Sequence, residues 1–147
     1  MPLISRQALV LYSPAEMYDL VNDVAAYPEF LPWCKSSQVL SSTDDAIEAS
    51  VEISKGSLNK SFATRNLLQK NKMIEMKLLE GPFKHLEGFW RFHPLKDPSA
   101  CKVTLDLEFE FESKLVGLAV GPVFSKIANT LVDSFSKRAV DVYGERD

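Results

Sequence analysis

The stretch Val120–Tyr143, VGPVFSKIANTLVDSFSKRAVDVY, predicts a long helix around which the rest of the chain is organised. Its apolar side chains recur at steps of three and four residues, as on one face of an α-helix. They are Val120, Phe124, Ile127, Ala128, Leu131, Phe135, Ala139 and Val142. Gly121–Pro122 is interpreted as the start signal and Gly144 as the stop. A face roughly 33 Å long, at about 1.5 Å per residue, needs an equally long apolar surface to pack against.

Strands are predicted to supply that surface. The clearest is Cys101–Phe111, in which apolar and polar residues alternate without a break. Such alternation predicts an antiparallel sheet with one buried face and one solvated face. The predicted strands are Leu3–Tyr12, Ser37–Ser42, Ala46–Ile53, Leu58–Leu68, Lys72–Glu80, Leu86–His93 and Cys101–Phe111.

Two short helical segments are predicted between the first and second strands. Ser13-Pro14-Ala15-Glu16 has the pattern of a capping box and should open a short helix. Ala26–Cys34 contains two prolines, which prevent a regular helix, so we predict a short helical turn there. This order of elements is typical of the α+β class. We therefore predict a curved antiparallel sheet of about seven strands around the long C-terminal helix, with room for an internal cavity.

Length and composition are those of an ordinary globular domain. The chain has 147 residues, of which 46% are hydrophobic and 25% charged, so we expect one domain over residues 1–147. The net charge of −3 disfavours a generic nucleic-acid binder but allows a local basic patch. Cys34 and Cys101 lack metal or redox spacing and are expected to be buried, reduced thiols. We recognise neither a signal peptide nor a run of the roughly 20 apolar residues that span a bilayer. The expected location is the cytoplasm, with peripheral contact at the inner face of the membrane as a variant.

Three segments carry a family resemblance: YPEFLPWC (27–34), EGPFKHLEGFWRF (80–92) and FEFESKLVGLAVGPVF (109–124). With them the chain resembles the coenzyme Q-binding and ribosome association toxin family. This family is a branch of the START-like, polyketide cyclase/dehydrase-type superfamily. The resemblance implies the helix-grip fold over nearly the whole chain. It also implies two roles, namely binding of a lipophilic quinone in support of cellular respiration, and inhibition of ribosomal subunit association, a form of translation regulation. No residue chooses between them.

Catalytic motifs are not found in the sequence. His85 and His93 are the only histidines, and at about 3.4 Å per residue of strand they would lie roughly 27 Å apart. The sequence contains no nucleophile elbow, HExxH pair or phosphate-binding loop. We therefore expect no catalytic residue, no metal site and no required cofactor. A cyclase-like enzyme is kept as a third alternative, because a fold does not determine a function.

Aromatic and flexible apolar side chains form the candidate ligand site, for which a ubiquinone-type lipid is the expected ligand. An apolar site with few polar groups suits such a molecule, and tryptophan adds an N–H donor to its stacking surface. The candidate residues are Tyr27, Phe30, Trp33, Met76, Leu78, Phe83, Trp90, Phe92, Phe124, Leu131 and Phe135. The alternative is that all of them are ordinary core residues.

Lysines surround the loops that should meet at one end of such a fold, namely Ser54–Asn59, Glu80–His85 and Ser113–Gly121. Those loops carry apolar residues, expected to form a rim at Leu58, Phe83, Leu115, Val116, Leu118 and Val120. The candidate contact residues are Lys55, Lys60, Lys84 and Lys114, with Lys126 nearby. Lysines around an apolar rim suit transient contact with an anionic membrane surface, or with the RNA of the large ribosomal subunit. The alternative is a scatter of solvated lysines.

Overall fold

A seven-stranded antiparallel sheet curves around one long helix in the computed structural model, which describes residues 3–146. The strands are β1 (Leu3–Val10), β2 (Cys34–Ser42), β3 (Ala46–Lys55), β4 (Leu58–Gln69), β5 (Met73–Glu80), β6 (Phe83–Pro94) and β7 (Cys101–Phe111). The helices are α1 (Pro14–Asn22), a 3₁₀ helix (Val24–Glu29) and α2 (Lys114–Tyr143). The strand order is β1-β7-β6-β5-β4-β3-β2, which leaves β1 and β2 as the two edges. The predicted fold class is confirmed.

The first short helix after β1 forms where its capping box predicts it, whereas the second covers Val24–Glu29 and not the predicted Ala26–Cys34, because Cys34 already belongs to β2. The Ser13 hydroxyl accepts from the Glu16 N–H at 3.1 Å, and the Ser13 N–H donates to the Glu16 carboxylate at 2.9 Å. This capping box satisfies two N–H groups at the start of α1. The predicted turn that follows is a 3₁₀ helix containing Pro28, since proline cannot take part in a regular α-helical ladder.

The start of α2 differs from the prediction. The helix begins at Lys114 rather than Val120, because the Ser113 hydroxyl accepts from the Val116 N–H at 3.2 Å and caps it there. Pro122 is inside the helix at an exposed position, so it is not the start signal. The predicted stop at Gly144 is confirmed, with a φ of 87° that favours glycine.

The apolar length of α2 also corrects the expectation about membrane-spanning segments. By length and composition alone it could cross a bilayer, with a mean hydropathy of 1.5 over its most apolar window. In this fold, however, one face of α2 is buried in the core. Such a helix in the core of a soluble protein passes the same test, so the observation is weak support for a span.

The core forms between the concave face of the sheet and α2. The alternation predicted for β7 is confirmed, since Val103, Leu105 and Phe109 are fully buried. The backbone of α2 lies close to β1 and β7, and α1 packs beside it. Cys34 and Cys101 are buried and free, and burial raises the pKa of each thiol to about 11, which keeps both neutral.

The edge strand β2 is irregular. Its pairing with β3 shifts register between Cys34 and Ser36, and again between Val39 and Ser41. The Ser37 hydroxyl donates to the Val24 carbonyl at 2.7 Å, so the 3₁₀ helix is tied to this edge.

Candidate ligand-binding cavity

A cavity of about 90 Å³ lies between α2 and the concave face of the sheet, with most of its strand lining on β3 and β4. One wall is the cavity-facing side of α2, which includes Phe124, Leu131 and Phe135. The opposite wall consists of inward-facing residues of β3 and β4. These are Ala49, Val51, Ile53, Phe62, Thr64 and Asn66. The rest of the lining comes from Val24, Tyr27, Trp33, Met76, Leu86, Trp90, Leu107, Ile127 and Ala128.

Side-chain size explains why the cavity exists. Ala49 of β3 pairs with Thr64 of β4, so two small residues lie side by side on the concave face. The backbone of α2 approaches β1 and β7, and the curved sheet carries β3 and β4 away from it. Side chains as short as these do not reach across the gap that results.

Besides its aromatic and aliphatic residues, the lining contains two polar residues, the half-buried Thr64 and the buried Asn66. Asn66 is only 7% exposed and is the sole buried polar residue in the range 3–146. The Thr64 hydroxyl donates to the Asn66 side-chain oxygen at 2.8 Å. Tyr27 adds no free polar group, because its hydroxyl donates to the Val21 carbonyl. Burial raises the pKa of the Tyr27 hydroxyl, so the tyrosine is neutral and presents its ring to the cavity.

Seven of the predicted ligand-binding residues line the cavity, and their role in binding stays a prediction. They are Tyr27, Trp33, Met76, Trp90, Phe124, Leu131 and Phe135. Among them, Phe135 makes edge-to-face contacts with Trp90 at 5.4 Å and with Tyr27 at 5.5 Å.

The other four predicted residues pack in the core instead of lining the cavity. Phe92 packs edge-on against Tyr18 at 5.8 Å, below α1. Phe83 packs against Phe124 at 4.9 Å in the cluster around the N-terminal half of α2, and Leu78 packs at the margin of that cluster. Phe30 lies under the Arg138 guanidinium, which is 4.7 Å from its ring centre. Aromatic character alone therefore did not distinguish lining residues from packing residues.

Sequence reasoning missed eleven of the lining residues, four of which have small or polar side chains, namely Ala49, Thr64, Asn66 and Ala128. The missed residues are Val24, Ala49, Val51, Ile53, Phe62, Thr64, Asn66, Leu86, Leu107, Ile127 and Ala128. The available signal was the alternation of β3, which places Ala49, Val51 and Ile53 on the inward face together.

The predicted lysines lie at one end of the sheet, which we call the lysine end and define by Lys55, Lys60, Lys84 and Lys114. The β3–β4 turn, the β5–β6 turn and the start of α2 meet there, because successive strands are antiparallel. All four lysines are exposed. Lys126 approaches Lys55 closely enough that like-charge repulsion lowers the Lys55 pKa.

The predicted apolar rim is smaller than expected. Leu115 and Leu118 are 79% and 76% exposed on the first turns of α2, beside the lysine end. Leu58 and Val116 are half-buried, whereas Phe83 and Val120 belong to the core. Early capping by Ser113 makes this segment helical, and a helix turns some of its apolar side chains inward.

Titratable groups do not assemble into a metal site within residues 3–146. His85 lies on the solvent face of the sheet, with Nε2 3.8 Å from the Glu108 carboxylate, and His93 is exposed. Neither histidine lines the cavity.

Residues 10–136 match the family described as "Polyketide cyclase / dehydrase and lipid transport". The chain belongs to this family. Within it, the ribosome association toxin RatA of Escherichia coli (strain K12) is 49% identical over 146 residues, covering 99% of this chain and 92% of that protein. The mitochondrial coenzyme Q-binding protein COQ10 homolog B of Xenopus laevis is 29% identical, covering 97% of this chain and 60% of that protein. The resemblance seen in the sequence is confirmed.

Solved structures agree with this family. The protein CC1736 from Caulobacter crescentus has a TM-score of 0.75 and 31% identity over 99% of this chain and all of its own. A START superfamily protein from Mycobacterium smegmatis has a TM-score of 0.78 at 20% identity, covering 95% of this chain and 98% of its own. The Zhui aromatase/cyclase from a Streptomyces species has a TM-score of 0.81 at 15% identity over 99% of both chains. The last two show the fold alone, and an enzyme is among the proteins that share it.

Proposed function

We propose that this polyketide cyclase-like protein binds a hydrophobic small molecule without transforming it, and that the ligand is a ubiquinone-type lipid. The cavity carries the proposal, because it is internal, almost wholly apolar and walled by aromatic rings. Sites of this kind bind apolar ligands and use a few polar groups to orient them. The family description includes lipid transport, and a relative is named as a coenzyme Q-binding protein, which supports the same ligand class.

The size of the cavity implies that its walls move when a ligand enters. An engineered apolar cavity of roughly 150 Å³ is known to hold a benzene ring. At about 90 Å³ the empty cavity is smaller than that, so a quinone ring requires rearrangement of its lining. Met76 and Leu131 are half-buried, and the unbranched Met76 changes rotamer readily. The isoprenoid tail would then follow the apolar face of α2 along Phe124 and Leu131.

Leu131→Trp tests the cavity directly. In the wild-type protein, affinity for ubiquinones should rise with tail length until the cavity is full, because each buried methylene contributes about 0.8 kcal/mol. The bulky indole at position 131 should occupy the tail path and weaken binding while the protein stays folded. Isothermal titration calorimetry across tail lengths measures this without interference from the added fluorophore.

Val140→Trp is the matched control, since Val140 is an exposed residue near the C-terminal end of α2. It should bind quinones as the wild type does. Equal affinities for Leu131→Trp and wild type, or affinity independent of tail length, would contradict the proposal. Unfolding of Leu131→Trp would mean that α2 packs on a core without spare volume.

A second candidate function is binding to the large ribosomal subunit and blocking of subunit joining. It is supported by the 49% identity to proteins named ribosome association toxin, over 99% of this chain. The lysine end offers a surface for it, because lysines that contact phosphates release counterions and bind RNA in a salt-dependent way. The same end, with Leu115 and Leu118, suits transient contact with an anionic membrane surface. Both roles fit a protein of the cytoplasm.

Charge reversal separates this candidate from ligand binding. Replacing Lys55, Lys60, Lys84 and Lys114 by Glu should abolish co-sedimentation with the large subunit and leave quinone binding unchanged. The control variant reverses Lys70, Lys72, Lys96 and Lys102, which lie at the opposite end of the sheet. If both variants still co-sediment like the wild type, the lysine end has no part in ribosome binding.

A further inference from the structure

We infer that Thr64 and Asn66 form a hydrogen-bonding site for a neutral carbonyl oxygen of the ligand. The cavity would thereby select a carbonyl-bearing ring, such as a quinone, over a hydrocarbon of similar shape. This inference rests on the proposed ligand-binding function and adds to it the group that the protein recognises.

The position of the pair is unusual for polar residues. Asn66 faces the concave side of β4, where its neighbours across the sheet are the apolar Ile47 and Met76. A core residue at this position would normally be apolar, because burying an amide without partners costs free energy. Asn66 nevertheless lines the cavity at 7% exposure, within reach of any molecule that enters it.

The side chain of Asn66 has more hydrogen-bonding groups than it uses in the structure. Its side chain has one acceptor oxygen and an NH₂ group with two donor hydrogens. The Thr64 hydroxyl donates to the oxygen at 2.8 Å, which fixes the orientation of the amide. Among residues 3–146, the side-chain hydrogen bonds include none donated by the NH₂ group, and its nitrogen is not one of the two fully buried atoms without a partner, Asn22 Oδ1 and Asn71 Oδ1. The NH₂ group therefore keeps accessible surface, and Asn66 lines the cavity. A ligand acceptor would complete this pair, as buried polar groups are generally hydrogen-bonded in folded proteins.

The charge of the lining residues limits which kind of ligand acceptor can bind in the cavity. Of the residues described, 3–146, those that line the cavity include no lysine, arginine, histidine, aspartate or glutamate. A carboxylate or phosphate buried there would lose its hydration without an opposite charge to compensate, so anionic ligands are disfavoured. A neutral carbonyl accepts from the amide without that cost. Trp90 and Phe135, which also line the cavity, provide ring surfaces for a planar molecule.

Asn66→Leu tests the inference with two probes of matched tail length, decylubiquinone and decylbenzene. Leucine has the same number and branching of side-chain heavy atoms and no polar atom, and decylbenzene controls for its larger methyl groups. Calorimetry should show that the wild type prefers the quinone and that Asn66→Leu binds it roughly tenfold more weakly, the loss expected for one hydrogen bond. Binding of decylbenzene should not weaken. Thr64→Val should reduce quinone affinity by less, because the amide loses its fixed orientation but keeps its donors.

A spectroscopic measurement on the wild type makes the test independent of how the variants fold. With ¹³C-labelled decylubiquinone, infrared difference spectra should show one carbonyl stretch shifted to lower frequency on binding and the other nearly unchanged. Unshifted stretches, or unchanged quinone affinity in Asn66→Leu, would overturn the inference and leave ligand binding standing. Failure of the wild type to bind either probe would overturn the proposed function and this inference with it.

Discussion

The two halves of the sheet meet α2 in different ways. On β6 and β7, Leu105 and Phe109 are fully buried and fill the space up to the helix. Leu86, Trp90 and Leu107 of the same strands border the cavity. On β3 and β4, the pair Ala49 and Thr64 leaves that space empty. The comparison teaches that the cavity arises from the choice of short side chains on the strands farthest from α2. We call the first half the filled half and the second the open half.

The largest expected effect is in the filled half. Phe109 contacts Phe124 of α2 edge-on at 4.8 Å and is fully buried. Phe109→Ala should lower the free energy of unfolding by about 3–5 kcal/mol, because it removes buried apolar surface and leaves a new void. Val51→Ala, in the open half, should cost clearly less, since Val51 is half-buried and already borders empty space. Guanidinium denaturation of both variants measures the loss of unfolding free energy. Equal losses would contradict the difference between the filled half and the open half.

Larger side chains should reveal the same difference between the filled half and the open half. Ala139 of α2 is fully buried against the filled half, in one cluster with Val103 and Leu105. Ala139→Leu should cost about 1–3 kcal/mol through overpacking, whereas Ala49→Leu should cost less than about 1 kcal/mol because the cavity accepts the new atoms. Ala49→Leu should also weaken quinone binding, which Ala139→Leu should leave intact if it folds. A greater loss of stability in Ala49→Leu would mean that the open half has no usable space.

The smallest expected effect concerns an ion pair beside the filled half. Arg146 binds the Glu16 carboxylate through two hydrogen bonds of 2.6 and 2.7 Å, joining the segment after α2 to α1. The hydrogen bond from Arg146 is the main cause of the low Glu16 pKa, about 2 instead of 4.5. Because the folded pKa is depressed, the stabilisation is full above about pH 4.5 and is lost as the pH falls towards about 2.

Glu16→Gln isolates that charge, since glutamine can still complete the capping box. At pH 7 it should lower the free energy of unfolding by less than about 1 kcal/mol, as the pair is partly exposed to solvent. The difference from wild type should shrink as the pH falls from about 4.5 to about 2. Urea denaturation over this range measures it, and a difference that does not change with pH would contradict the assignment to the charge. Quinone affinity should be unaffected, because Glu16 is not in the cavity lining.

The fold could be predicted from local patterns because they agree with one another. The unbroken alternation of Cys101–Phe111 and the three-and-four spacing after Val120 each predict one type of element, and the structure confirms both. The start of α2 could not be placed in the same way. Gly121–Pro122 predicts a start there because proline is favoured in the first helical turn, but the Ser113 hydroxyl accepts from the Val116 N–H and sets the boundary earlier.

The candidate site was only partly predictable, because a cavity is a property of distances between elements. Sequence patterns identify which residues face inward, but not how far α2 lies from each strand. The prediction therefore favours large aromatic residues. Two of them, Phe92 and Phe83, pack against other rings of the core and do not line the cavity. The sequence does not single out Thr64 and Asn66, although both line the cavity. A polar residue on an inward face resembles a break in the strand alternation unless the distance to the facing helix is known.

The two register shifts in β2 affect how copies of this protein behave when they meet. A regular edge strand presents evenly spaced N–H and C=O groups, to which another chain can add a strand and begin aggregation. The shifts at Cys34–Ser36 and Val39–Ser41 break that spacing, so an incoming strand would find only short stretches in register. The irregular edge of β2 thus disfavours the addition of a strand from another copy of this protein.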